Sequence, residues 1–427
     1  LNRTLLQTAC CGLREMINWR RITIPHFETC KGLLMKKILT ATALAAALIT
    51  SAQAENIKIG IALGFTGPAE SLAPPMASGA ELALKEASDS GAFLGGTTIT
   101  TVRADSTCID AAAATAAAER LVSSEGVKAI IGGLCSGATT AILQNVAMPK
   151  GVLQFSPSAT SPALTTIADN GLFFRASPSD ARQGAIIAQM LKEKGIKSAA
   201  LTYTNNDYGK GLADSIKTNV EAMGGKITIY ASHEDGKGDY TAEVGALASA
   251  GGEILIVAGY LDQGGRGIIR SALDTGAFER FFLPDAMIGE SLTAAIGKGL
   301  NGSFGVVPGT DSPGAKLYEA LTVKAGFKNG PYSPESYDAA ALTILAMQAA
   351  KSTDSAKVKA KVFDVANAPG EKIFPGQLAK ALAILAKGGD IDYVGASAIE
   401  LIEPGESAGG YREVEVKGGK FNTVGYR

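Results

Sequence analysis

Two clusters of small hydroxyl residues stand behind apolar runs. Cys135-Ser136-Gly137 follows the run 127–131, and Ser156-Pro157-Ser158-Ala159-Thr160-Ser161 follows the run 151–155. The first cluster opens a segment that reads as a helix. A strand ending in hydroxyls and in the free N–H groups of a helix start suits an anion. Two such ends side by side could clamp one small carboxylate. Taken singly, Ser136 and Thr160 also fit ordinary helix N-caps, and both readings stay open at this level.

Catalytic alternatives find little support. The G-x-S-x-G spelling occurs at Gly405-Glu406-Ser407-Ala408-Gly409, but in a turn-rich tail rather than between a strand and a helix, and there is no G-x-x-x-x-G-K-[ST] loop and no zinc spacing. Gly60-Ile61-Ala62-Leu63-Gly64-Phe65-Thr66-Gly67 is glycine-rich but lacks the dinucleotide spacing, so it reads as a tight turn at a cleft wall. Asp262-Gln263-Gly264-Gly265 reads as another turn. A hydrolytic triad using Ser136 would have to recruit His233, the one histidine after residue 54, which ends a strand-like run before a polar loop. No cluster of His, Cys or carboxylates has metal-ligand spacing, so no metal and no cofactor is expected.

These residues need a scaffold. The chain has 427 residues, 46% of them apolar and 19% charged, with a net charge of −1. That suffices for two or three ordinary domains with large cores. No Lys/Arg block occurs, which argues against nucleic acid as partner. Met35-Lys36-Lys37, the apolar run 38–49 and Ala52-Gln53-Ala54 form a secretory signal peptide, 35–54, with cleavage expected before Glu55. Glu rather than Cys at that position predicts no lipid anchor on the membrane. Residues 1–34 are expected to be a mis-called start. Without 1–54 the net charge becomes −6, because seven basic and two acidic residues leave. Of five cysteines only Cys108 and Cys135 then remain. In an oxidising compartment they suggest one disulfide, the alternative being two buried thiols.

Strands are predicted over 57–63, 99–104, 127–131, 152–155, 198–203, 226–231, 253–258 and 281–283. Helices are predicted between them over 75–90, 109–124, 138–147, 180–194, 209–223, 240–250 and 264–275. Such alternation, with strands that are continuous apolar runs, is the βαβ rhythm of doubly covered parallel sheets. Eight units exceed one comfortable open sheet, so two Rossmann-like lobes are expected, with 173–178 and 304–309 as connections. Further helices follow over 316–325, 336–350 and 356–366, then a tail of short strands and turns over 398–424. Facing lobes would put their strand ends across a cleft, where ligands bind and hinges close.

A set of segments in fixed order carries a resemblance: I-K-I-G-I-A at Ile57, T-G-P at Thr66, G-A-E-L-A at Gly79, D-S-T-C at Asp105, G-G-L-C-S at Gly132 and F-S-P-S-A-T-S-P at Phe155. D-x-R-Q-G at Asp180, N-D-Y-G-K-G at Asn206, G-D-Y-T-A at Gly238 and S-Y-D-A-A at Ser336 continue it. Over nearly all of 56–427 the chain resembles the periplasmic leucine/isoleucine/valine-binding proteins of ABC transporters. The resemblance implies an α/β type I periplasmic binding fold: two lobes with parallel central sheets joined by three hinge crossings. It implies lobe 1 over 55–177, lobe 2 over 178–306, lobe 1 continued over 307–405 and a lobe 2 tail over 406–427. Function would be non-enzymatic capture of an amino acid, aliphatic or branched-chain, by a monomer that serves an inner-membrane ABC permease. The alternatives are another small carboxylate, amide or aromatic acid, for uptake or sensing, and, furthest from the pattern, a secreted hydrolase.

The resemblance also assigns roles by position. Ser136 and Thr160 would hold the ligand carboxylate, with Ala159 between Thr160 and Ser158. The Ser158 carbonyl and the Thr160 hydroxyl would accept from the ammonium, and Asp285 would pair with it. Tyr208 and Tyr260 would line the cleft from the second lobe, and Tyr332 would close the pocket. Cys108 and Cys135 match the family disulfide. Leu72 stands where family members carry an aromatic residue, which implies an altered side-chain subsite.

Overall fold

The computed structural model describes residues 55–427. The expected signal peptide and the residues before it lie outside the described residues. Two seven-stranded sheets organise the chain. The first contains β1 (Asn56–Leu63), β2 (Thr98–Asp105), β3 (Ala129–Gly132), β4 (Leu153–Ser156) and β5 (Phe173–Arg175). The second contains β6 (Ser198–Thr204), β7 (Lys226–His233), β8 (Ile254–Ala258), β9 (Phe281–Leu283) and β10 (Phe304–Pro308). A separate ribbon pairs β11 (Glu371–Ile373) with β12 (Ile391–Tyr393). The last strands are β13 (Leu401–Ile402), β14 (Glu406–Ser407), β15 (Tyr411–Lys417) and β16 (Lys420–Tyr426).

The sheet orders are β13-β14-β5-β4-β3-β1-β2 and β16-β15-β10-β9-β8-β6-β7. The first five strands of each sheet are parallel and repeat one arrangement, 5-4-3-1-2. In such a sheet the chain reverses direction of winding between strands 1 and 3, and a crevice opens at their carboxyl ends. The two crevices lie between β1 and β3 in the first lobe and between β6 and β8 in the second. Apolar residues cover both faces of these strands: in one lobe Ile59, Ile61 and Phe155 on one face and Ala62 and Ile130 on the other, in the second Leu201, Ile256 and Phe282 on one face and Ala200, Leu255 and Phe281 on the other, all buried. The helix Ser333–Ala350, rich in Ala, packs on Ala73–Asp89 with almost every residue buried. One glycine governs the approach of β3 to β1. At Gly132, φ is +143°, and a Cβ there would stand 2.0 Å from the Ala62 carbonyl oxygen.

The chain passes between the sheets after β5, after β10 and between β14 and β15. Three sequence-based boundaries need correction. The segments 173–178 and 304–309 are not simply connections, because they begin as strands β5 and β10. Residue 406 does not begin the second-lobe tail. Glu406 pairs in parallel with Arg175 in the first sheet, so the third passage falls between Ser407 and Tyr411. The predicted helix 109–124 is α-helical over Ala111–Glu119 and finishes as a π turn, Arg120–Ser124.

Candidate functional site

The first-lobe wall is built from the loops after β1, β3 and β4. Ser136 is the first residue of the helix Ser136–Ile142, and Cys135 holds the N-cap position without a side-chain bond. The Ser136 hydroxyl accepts the Ser161 N–H at 3.1 Å, which ties the two hydroxyl clusters together. Two more bonds close the same seam. Ser156 Oγ donates to the Gly133 carbonyl at 2.8 Å and Ser158 Oγ to the Leu134 carbonyl at 2.8 Å. Neither N-cap reading holds: Ser136 bridges two loops, and Thr160 precedes Ser161, the cap position of the short helix Pro162–Thr165. Thr160 Oγ1 is buried without a hydrogen-bond partner.

Arg175 supports this loop from behind. Its guanidinium is 1% exposed, pairs with Glu406 and donates to the carbonyls of Ala159 (3.2 Å) and Ser161 (2.9 Å). An arginine so placed needs every donor engaged, because an unpaired buried charge is costly. Cys108 and Cys135 form the disulfide, which fastens the Ser136 loop to the loop after β2.

The second-lobe wall comes from the loops after β6, β8 and β9. Asn206 caps the helix Asp207–Ala222, accepting the Gly209 N–H at 3.0 Å, and so fixes Tyr208 in the first turn. The rings of Tyr208 and Tyr260 stack at 5.2 Å between centroids with 27° between planes. Tyr208 donates its hydroxyl to Asp285 Oδ1 at 2.6 Å, and Tyr332, reaching in from the first lobe, donates to Oδ2. The Asp285 N–H donates to Gln183 Oε1 (3.3 Å), whose amide nitrogen donates to Asp180 Oδ1 (3.0 Å).

Asp285 is fully buried, and its hydrogen-bond partners are neutral. Burial pushes its carboxyl above the usual carboxylate range, opposed by the two phenols. Burial and then the neighbouring Asp285 charge push Asp180 well above that range. Burial foremost also holds the phenols of Tyr208, Tyr260 and Tyr332 well above their ordinary values, so all three are protonated donors at neutral pH.

A narrow cavity of about 10 Å³ lies where these walls meet. Seven predicted residues line it: Leu72, Ser136, Ser158, Tyr208, Tyr260, Asp285 and Tyr332. Ala159 and Thr160 are buried in the adjoining loop but do not line it. Leu134, Cys135 and Ala286 line it unforeseen, and Asp180, Gln183 and Arg175 back the walls. His233 does not line the cavity. It is 2% exposed, its Nδ1 lies 2.8 Å from Thr202 Oγ1, and burial pushes its pKa down to about 4. Among the described residues no group of three or more His, Cys, Asp or Glu is placed to hold a metal.

Comparison with known proteins agrees with the architecture. Residues 56–370 match the family model described as periplasmic binding protein. Leu/Ile/Val-binding protein homolog 1 of Brucella abortus (strain 2308) is 30% identical over 333 residues, 76% of this chain and 87% of that one. The leucine-, isoleucine-, valine-, threonine-, and alanine-binding protein of Pseudomonas aeruginosa is 27% identical over 328 residues, 76% of this chain and 86% of that one. In three dimensions the leucine binding protein LivK of Thermotoga maritima superposes with a TM-score of 0.73 at 22% identity, covering 87% of this chain and 98% of that one. A solute binding protein of an ABC transporter from R. palustris, solved with benzoate, superposes with a TM-score of 0.70 at 19% identity, covering 87% and 96%. At such identities the structural likeness speaks for the fold alone.

Proposed function

Because the chain belongs to the periplasmic binding protein family, we propose that it captures a small α-amino acid, aliphatic or branched-chain, between its lobes and delivers it to an inner-membrane ABC permease. Its relatives of that family are solute-binding proteins. No helix among the described residues is long and apolar enough to cross a membrane, and secretion to the periplasm is part of the proposal.

The observation that carries the ligand class is Asp285: a carboxylate with 0% exposure at the cavity wall, held by neutral phenols. A ligand ammonium supplies the cation that such a group lacks. The ligand carboxylate would then meet the neutral donors of the Ser136 and Thr160 loops. Charge-assisted hydrogen bonds contribute about 1.5–3 kcal/mol each. A few of them with side-chain burial reach about −8 kcal/mol, a micromolar Kd. The stacked Tyr208–Tyr260 pair favours a second reading, an aromatic acid, which would require Asp285 to take a proton.

Calorimetric titration of ligand-stripped protein tests the proposal. L-leucine, L-isoleucine, L-valine and L-alanine are compared with benzoate and 4-hydroxybenzoate. Saturable heat from the amino acids is expected. Binding of the aromatic acids alone would overturn the amino-acid reading.

A further inference from the structure

We propose that Asp262 is a positioning residue: from the second lobe it caps the first-lobe helix that carries Leu72 into the cavity, and so holds the cleft shut over the ligand.

The helical run that begins with the turn Glu70–Leu72 and continues as Ala73–Asp89 has no cap of its own. Ala69 and Leu72, the residues at its two N-cap positions, make no side-chain bond to it. The carboxylate comes instead from across the cleft. Asp262 Oδ2 accepts the Ser71 N–H at 2.9 Å, while the Asp262 N–H donates to the Pro68 carbonyl at 3.0 Å. Ser291 of the second lobe donates to Asp262 Oδ1 at 2.5 Å, and the hydroxyls of Ser71 and Ser291 lie 3.0 Å apart. Asp262 is 7% exposed at this junction. A carboxylate at a helix start satisfies an orphan N–H and complements the helix dipole, whichever part of the chain supplies it.

Leu72 is the next residue after Ser71. It lines the inner cavity and also an outer hollow of about 340 Å³ at the cleft mouth, so it partitions the two. Its Cδ2 lies 3.6 Å from where a Cβ on Gly289 would stand, so it packs on the second lobe beside Ser291. The cap therefore fixes the wall of the ligand chamber, and it forms only when the lobes meet. Asp262 should act on ligand escape, leaving each lobe's own folding unaffected.

The inference rests on the proposed function only in taking the cavity as the ligand chamber. Stopped-flow kinetics with L-leucine give its first test. Asp262→Ala should raise koff roughly fivefold to tenfold with kon within about twofold. Asp262→Asn, which keeps a capping oxygen, should remain near the native rate, and the melting temperature of the ligand-free protein should hold in both. An unchanged koff in Asp262→Ala, or equal loss in Asp262→Asn and Asp262→Ala, would overturn the cap. If no amino acid binds, the amino-acid reading falls and a ligand-independent arm decides the cap. The double variant S71C/S291C, oxidised with copper phenanthroline, should form an intramolecular disulfide, several-fold more slowly when Asp262→Ala is added. Equal rates would refute it.

Discussion

Replacing Asp285 by Asn separates the proposed ammonium contact from everything else in the cavity. Asn keeps the shape and one acceptor oxygen, so one of the phenols of Tyr208 and Tyr332 can still donate and the other can turn to accept from the amide. What disappears is the negative charge. For L-leucine the loss is one charge-assisted bond, about 1.5–3 kcal/mol, or roughly 10- to 150-fold in Kd. For 4-methylpentanoate, which is leucine without its amino group, removal of a buried like charge should leave binding unchanged or improved. Titration calorimetry of both ligands on both proteins reads the difference directly. The pH dependence gives a second readout. Burial raises the Asp285 pKa in the ligand-free cleft, whereas an ammonium partner favours the charged carboxylate. Proton and ligand therefore compete, and affinity for L-leucine should fall as pH drops through the raised pKa. Asp285→Asn should flatten that fall. Equal losses for the two ligands, or unaltered L-leucine affinity, would refute the reasoning.

Ser136→Ala should weaken L-leucine binding and destabilise the fold, by about 1–3 kcal/mol in each, because it leaves the Ser161 N–H buried without its acceptor; calorimetry and urea unfolding check both. The double variant Cys108→Ser/Cys135→Ser should lose about 2–4 kcal/mol in denaturant unfolding, since the bridge joins residues 27 apart in sequence, and its affinity should drop with the anchoring of the Ser136 loop. His233, pushed from 6.5 to about 4, binds fewer protons folded than unfolded between those values. It contributes stability present above pH ~6.5 and lost as pH falls through ~4, about 3 kcal/mol at full extent. His233→Asn should flatten that part of the stability–pH curve measured by urea unfolding.

The strands readable in the sequence are those covered on both faces. The run 254–258, Ile-Leu-Ile-Val-Ala, is continuously apolar because helices lie on either side of it, and the structure buries all five residues. β5 and β10 gave a weaker signal, because Phe173–Arg175 is only three residues long and Phe304–Pro308 ends in a proline. Nothing local announces β14. Two residues cannot show a period, and Glu406 joins the first sheet only through Arg175, 231 positions away. Arg175 did carry a clue. An arginine beside Phe173 and Phe174 demands a buried partner, and the demand is met by Glu406 and two loop carbonyls.

The location of the cavity follows from strand order, whereas its chemistry follows from contacts that the sequence leaves unordered. Leu72 and Ser136 come from the loops after the first and third strands of one sheet, and Tyr208 and Tyr260 from the corresponding loops of the other. Any chain with this repeated arrangement would place its ligand there. The hydroxyl clusters at 136 and 158–161 could be singled out locally because two sets of hydroxyls behind neighbouring apolar runs, one of them at a helix start, suit an anion. Tyr208, Tyr260, Asp285 and Tyr332 were reached only through resemblance, since a tyrosine or aspartate in a loop is unremarkable until its partner is known. Tyr332–Asp285 and Asp262–Ser71 each join one lobe to the other. Such pairs exist only once the lobes meet. Their separation in sequence follows from that: groups that join two lobes must come from segments that only the pairing of those lobes brings together.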